Sequence, residues 1–267
     1  MQMRELNLRN ISIIPFSFAV IGGVGFSSPE EQSKVTINTE YGTVEATISE
    51  IAGRNILFIP RHAGANGHVP PHMINYRAII MAIKQLGIMR IISINSVGTM
   101  HNHCVGTVVI PYDFIDFTRL RPCTFFEDKT VHVDMSEPYC PQLRSLIISI
   151  LKEKQIETAE VIYACTEGPR FETKAEIKML KNFADVVGMT GVPEVVLAKE
   201  MQLCYASMCI VTNIASGIDN SKPTASEVLD ILTFKKDCIF DILHSIATRM
   251  PIRRSCLCNS AIDNGIL

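Results

Sequence analysis

The 267-residue chain predicts one α/β domain, a sandwich built around a mixed, largely parallel sheet. Three observations carry this. Short apolar runs alternate along the chain with amphipathic helical stretches, which is the order of strand-helix-strand units. One stretch alternates with period two about a glycine and adds an antiparallel hairpin. No Pro-, Gly- or Ser-rich linker divides a chain long enough to bury a sizeable core. The domain is expected over residues 18–267, with 1–17 as an N-terminal extension.

Phe18 to Ile21 reads as a buried strand ending in the turn Gly22-Gly23-Val24-Gly25. Val35 to Thr39 and Thr43 to Ile48 alternate around Glu40-Tyr41-Gly42 as a hairpin, and Asn55 to Pro60 is a strand that delivers Arg61-His62 at its end. Ile74 to Leu86 carries Ile79, Ile80, Ile83 and Leu86 on one helical face, followed by the buried strand Ile91 to Ile94. Thr107 to Ile115 reads as a strand, Pro141 to Lys154 as a helix and Val161 to Cys165 as a strand. A central strand lies within Met201 to Thr212, and a long helix spans Thr224 to Thr248.

Charge excludes several classes of partner. Lys and Arg number 25 against 27 Asp and Glu, so there is no basic footprint for a nucleic-acid backbone and no polybasic membrane patch. Arg4 and Arg9 precede an apolar run from Ile11 to Val24. Pro15 interrupts that run, and its end supplies the first strand and glycine turn, so it does not read as a signal peptide. No stretch reaches the roughly 18 uninterrupted apolar residues of a membrane span. The nine cysteines are scattered through apolar segments, which fits reduced, buried thiols in a cytoplasmic protein. Cys256 and Cys258 form a Cys-X-Cys; with no Cys/His cluster near them in the chain they read as two tail thiols, the sharper readings being a redox pair or half a metal site. No metal is expected.

In parallel sheets, ligands sit beyond the carboxyl ends of the strands. Four such ends carry groups suited to an anion: Gly22 to Gly25, Arg61-His62, Asn95-Ser96-Val97-Gly98 and Met189-Thr190. Phe171 beside Glu172 offers a flat apolar platform next to an acceptor, and Asn213 closes the last strand, where an amide can both donate to and accept from a heterocycle.

Ordered motifs then extend from about Ala19 to Leu232: Ile21-Gly22-Gly23, Arg61-His62, Pro71 to Ala78, Asp113 to Thr118, His132 to Cys140, Glu167 to Thr173 and Gly188 to Glu200. In these the sequence resembles the trimeric purine nucleoside phosphorylase and methylthioadenosine phosphorylase family, most of all its archaeal members. The resemblance implies the phosphorylase-type α/β sandwich and a reaction in which phosphate displaces a purine from C1′ of a ribosyl group. It implies a phosphate site of Gly23, Val24, Arg61, His62, Asn95, Ser96 and Thr190. Around base and sugar it implies Phe171, Glu172, Met189, Asn213, Ile214, Ala215 and Ala225, with His132 reaching a neighbouring subunit's pocket in a homotrimer or dimer of trimers. Arg61, His62 and Asn213 are the side chains it makes catalytic, and no cofactor is implied beyond phosphate as co-substrate.

Within the family, Glu172 with Asn213 is the pattern of 6-oxopurine selectivity, whereas 6-aminopurine relatives place Asp at the latter position. A carboxylate accepts from the N1–H of hypoxanthine or guanine, which adenine lacks. The expected substrates are inosine, guanosine and S-methyl-5′-thioinosine, in purine salvage. The alternatives are a methylthioadenosine phosphorylase or a degenerate nucleoside-binding protein. Ala225 stands where relatives using ordinary nucleosides place a His, and leaves both a methylthio group and a water-bridged hydroxyl open. Val24 replaces the family's Ser or Thr and Ala63 its Gly, and the loss of one hydroxyl donor to a charged ligand costs about 1.5 to 3 kcal/mol.

Overall fold

The computed structural model of the protein describes residues 14–26, 33–64, 67–263 and 265–266. The strands described are β1 (Phe16–Gly22), β2 (Ser33–Thr39), β3 (Gly42–Ile51), β4 (Arg54–Pro60), β5 (Ala63–Gly64), β6 (Gly67–His68), β7 (Arg90–Thr99), β8 (Val108–Asp116), β9 (Glu160–Cys165), β10 (Val186–Gly188) and β11 (Cys204–Ile214). The helices are α1 (Tyr76–Gln85), α2 (Pro141–Glu153), α3 (Lys174–Leu180), α4 (Glu194–Glu200) and α5 (Ala225–Arg249). All strands except the small β5–β6 hairpin join one sheet in the order β10-β9-β8-β11-β7-β1-β4-β3-β2.

The sheet is mixed, with the parallel strands that the strand-helix alternation predicts and the antiparallel ones that the hairpin adds. β1 runs parallel to β4 and β7, β7 parallel to β11, and β9 parallel to β8 and β10. β2, β3 and β4 form the antiparallel edge, and β8 runs antiparallel to β11. One pairing closes the sheet on itself: β10, already beside β9, also lies antiparallel to β7, with Val187 opposite Gly98. Strands β7, β11, β8, β9 and β10 therefore form a closed ring at one end of an otherwise open sheet, and that closure brings the Gly188-Met189-Thr190 turn alongside Asn95 and Ser96.

Helices cover both faces. One core packs α1 and α4 against Ala19, Ile21, Leu57, Ile59 and Ile91, while the other packs α2 and α5 against the opposite side chains of the same strands, Phe18, Val20, Phe58 and Ile92. This follows from the two-residue period of a strand buried on both sides. Helix starts are fixed locally. Asn75 accepts from Ala78 N at 3.0 Å, so α1 begins at Tyr76 and not at Ile74, which is extended and buried. Thr224 and Glu227 form a reciprocal capping box at the head of α5, which holds the first turn of that helix against the cavity described below. The first strand begins at Phe16, opposite Asn55, so residues 16 and 17 belong to the sheet and not to an extension; residues 1–13 lie outside the described residues.

Candidate active site

Parallel pairing puts the ends of β1, β4, β7 and β11 at one edge of the sheet, and their turns surround a cavity of about 560 Å³. At the end of β1, Gly23 lies beside the guanidinium of Arg61: a Cβ there would meet the Ile94 carbonyl at 3.0 Å and stand 3.6 Å from Arg61 Nη1. Gly22 O accepts from Arg61 N at 2.9 Å, joining the two strand ends.

Arg61 is the most constrained group of the site. Its Nε donates to Glu194 Oε2 at 2.7 Å, Nη2 to Glu194 Oε1 at 2.9 Å and to Ser93 Oγ at 2.6 Å, and Nη1 to Ile94 O at 3.1 Å. Those contacts use four of the five guanidinium hydrogens and leave one on Nη1, the nitrogen nearest Gly23. Burial opposes the charge on Arg61, yet the Glu194 carboxylate more than offsets it and holds the guanidinium pKa above its ordinary value. Glu194 is fully buried at the start of α4 and accepts also from Ser93 Oγ at 2.8 Å and Tyr205 Oη at 2.7 Å.

His62 follows on the same strand end. Its Nδ1 lies 2.8 Å from Val69 O; because a carbonyl only accepts, Nδ1 carries the proton and Nε2 is the free acceptor of the neutral ring. The β5–β6 hairpin folds His68 over it, with ring centroids 4.8 Å apart and planes at 8°. Burial, with the charge of Arg61, lowers the His62 pKa from 6.5 to about 4. Since the unfolded chain takes up this proton near 6.5 and the folded one only near 4, the contribution of His62 to stability is complete above pH 6.5 and is lost as pH falls through that window. His62→Gln should flatten the fall in unfolding free energy between pH 7 and pH 4, by at most about 3 kcal/mol and less where its exposed edge is screened, read from denaturant titrations at each pH.

Ser96, on β7, and Thr190, after β10, complete this end of the cavity. Asn95 does not. It is 2% exposed, donates from Nδ2 to Ser207 Oγ at 2.6 Å and to Ser93 Oγ at 3.1 Å, and accepts at Oδ1 from Thr190 Oγ1 at 3.0 Å. Neighbouring residues of a strand point to opposite sides, so Ser96 faces the cavity while Asn95 positions Thr190 from behind. Val24 lines the cavity, and its apolar side chain stands at the anion end. Val24→Ser, which adds a hydroxyl donor at this end, is expected to tighten a bound oxyanion about tenfold, one recovered hydrogen bond of about 1.4 kcal/mol, measured by titration with inorganic phosphate.

At the other end, Gly168, with φ +63 and no room for a Cβ because Met189 Sδ would lie 2.6 Å away, turns the chain so that Phe171 and Glu172 line the cavity opposite Met189. Burial raises the Glu172 pKa, and the Thr166 hydroxyl, donating to Oε1 at 2.5 Å, favours the ionised form. Asn213 is held on both sides of its amide, accepting from Thr212 Oγ1 at 3.1 Å and donating to Ile214 O at 3.1 Å. Ala215 lines the cavity beside it, whereas Ile214 does not. Pro223, Ala225, Val228 and Leu229 form a continuous apolar wall. His132 is exposed on a loop and does not line this cavity; its N donates to Gly265 O at 2.7 Å.

Outside the cavity one expectation is corrected. Cys256 and Cys258 have partners in space: the sulfurs of Cys140 and Cys204, remote in sequence, lie with theirs in one group within 4.8 Å.

The cavity thus joins an end lined by a buried arginine, a neutral histidine and hydroxyls to a flat apolar slot edged by a carboxyl and an amide. The chain belongs to the phosphorylase superfamily, whose model matches residues 17–247. It is 52% identical over 249 residues to the probable S-methyl-5′-thioinosine phosphorylase of Methanosarcina acetivorans, covering 93% of this chain and 96% of that protein. To the probable 6-oxopurine nucleoside phosphorylase of Dictyoglomus turgidum it is 43% identical, covering 91% and 95%. A methylthioadenosine phosphorylase from an antarctic soil metagenomic library shares the fold at a TM-score of 0.84 and 30% identity, covering 94% and 92%.

Proposed function

We propose that this enzyme cleaves 6-oxopurine nucleosides with phosphate to the free base and a sugar 1-phosphate, with S-methyl-5′-thioinosine as its preferred substrate, in purine salvage. The observation that carries this is the pairing of Glu172 with Asn213 around Phe171 in one cavity. Ionised Glu172 accepts the N1–H that hypoxanthine and guanine present, and the free N–H of Asn213 serves O6 or N7.

The chemistry follows from the two ends of the site. The remaining N–H of Arg61 and the Ser96 hydroxyl donate to the phosphate, Thr190 borders it, and neutral His62 accepts a hydrogen bond from its P–OH at Nε2, which turns the charged oxygens toward C1′. As the C1′–N9 bond breaks, its electron pair leaves with the purine, and a phosphate oxygen forms the new bond to C1′. The sugar takes on positive charge between phosphate and base, and the Asn213 donor meets the negative charge growing on the ring. Positioning and electrostatics supply the rate enhancement.

At the 5′ end, Pro223, Ala225, Val228 and Leu229 favour a methylthio group over a hydroxyl. The same wall suits methylthioadenosine, the substrate of the second reading; Asn213 is what separates the two. The exposed loop position of His132 supports a homotrimer or dimer of trimers in which it reaches a neighbour's cavity, checked by the mass in solution. Among the described residues no helix is long and apolar enough to cross a membrane, and cysteines that form no disulfide there support a cytoplasmic setting.

Release of free base from methylthioinosine, inosine, guanosine and methylthioadenosine, each with and without phosphate, tests the proposal. Phosphate-dependent release, fastest from methylthioinosine, is expected. Faster cleavage of methylthioadenosine would favour the second reading, and release indifferent to phosphate would make the protein a hydrolase.

A further inference from the structure

Four cysteines from three parts of the chain meet at the edge of the sheet remote from the cavity. Cys140 caps α2, Cys204 opens β11, and Cys256 and Cys258 lie in the C-terminal segment around a short 3-10 turn. Their sulfurs all lie within 4.8 Å of one another, Cys204 Sγ and Cys256 Sγ at 3.4 Å. Cys140, Cys204 and Cys258 are buried and Cys256 is half-buried. Four thiolates around a tetrahedral ion, at metal–sulfur distances of about 2.3 Å, stand about 3.8 Å apart, a spacing inside the range found here.

The charge of the surroundings fits as well. A divalent ion with four thiolates carries a net charge of −2, and Arg90 stands directly across from Cys204 in the β7–β11 pairing. Arg90 is buried, and its Nε has no hydrogen-bond partner among the described residues. All-sulfur tetrahedral sites select zinc over harder divalent ions.

We infer that Cys140, Cys204, Cys256 and Cys258 form a structural Zn²⁺ site, a binding function separate from the nucleoside cavity. Cys204 and Asn213 occupy opposite ends of β11, roughly 30 Å apart at strand rise, so the ion takes no part in the reaction. Binding converts four thiols to thiolates and releases their protons. The ion ties the C-terminal segment to α2 and β11. Beyond Cys258 the same segment accepts from Asp134 N at Ala261 O, 2.9 Å, and from His132 N at Gly265 O, 2.7 Å. The site thus anchors the strand of chain that supports the His132 loop.

Elemental analysis and native mass spectrometry of the full-length protein, expressed with zinc in the medium, test this. About one zinc per chain is expected. Titrating the wild type with a mercurial thiol reagent should release that zinc stoichiometrically to a colorimetric dye. Cys258→Ser should lose most of the metal and lower Tm by on the order of 10 °C; if that variant does not fold, the mercurial release on the wild type decides alone. Zinc-free protein, whether its four cysteines are free thiols or joined in disulfides, would overturn the inference, as would one iron per chain or zinc content unaffected by thiol modification.

Discussion

Replacing Arg61 with alanine is expected to lower kcat/KM for phosphate about a thousandfold, close to 4 kcal/mol of transition-state stabilisation. The residue is 1% exposed and locked by contacts to Glu194, Ser93 and the Ile94 carbonyl. It therefore presents its charge to the anion end at no cost of ordering. The variant also strands the Glu194 carboxylate in the core with only Ser93 and Tyr205 as donors. Breaking a buried ion pair from one side destabilises by about 3 to 5 kcal/mol, so Tm must be followed beside activity. Glu194→Gln separates the two effects: it keeps the guanidinium and a side-chain carbonyl to accept from it, and should lose stability while retaining more phosphate-dependent turnover than Arg61→Ala. Arg61→Lys, which keeps charge but cannot span both Glu194 oxygens, should resemble the alanine variant. Phosphate saturation curves check all three; Arg61→Ala within tenfold of wild type would remove arginine from the anion site.

The Arg61 neighbourhood also shows what a linear reading reaches. Gly23, the Arg61-His62 pair and Met189-Thr190 are legible because each is a local strand-end signal; parallel pairing gathers the first two at one edge, and the antiparallel return of β10 to β7 brings up the third. Glu194 is not legible in that way. It lies 133 positions from the arginine it holds, inside the apolar run Val192 to Ala198, where nothing local distinguishes a buried counter-ion from a solvated helix start. Asn95 and Ser96 are both polar and adjacent; only the phase of β7 decides that the serine faces the cavity and the asparagine supports Thr190. Strand direction is equally silent in an apolar run, so neither the antiparallel placement of β8 against β11 nor the return of β10 to β7 can be read from composition. The cysteine group is the extreme case: Cys256 and Cys258 are close in sequence, but the residues that complete the group arrive through tertiary packing.

Asn213→Asp should reverse base preference. In the wild type Asn213 Nδ2 spends one hydrogen on Ile214 O, while Thr212 Oγ1 donates to Oδ1; the amide is thus oriented with one N–H left for the base. Aspartate has no hydrogen to give. Its oxygens would face the lone pairs of O6 and N7 on hypoxanthine, leaving buried acceptors opposed, and its charge would oppose the negative charge that the departing purine must carry. Adenine instead offers the N6 amino group, which an aspartate oxygen accepts. Sites that hydrogen-bond a substrate group discriminate strongly against partners lacking it. The expected result is a loss of roughly a hundredfold in kcat/KM for methylthioinosine with a gain of about tenfold for methylthioadenosine. Because the methylthio group and the apolar wall of Pro223, Ala225, Val228 and Leu229 are common to both substrates, the ratio of the two rates isolates the base. An unchanged ratio would mean that Asn213 does not read the purine and that Glu172 carries the selectivity alone.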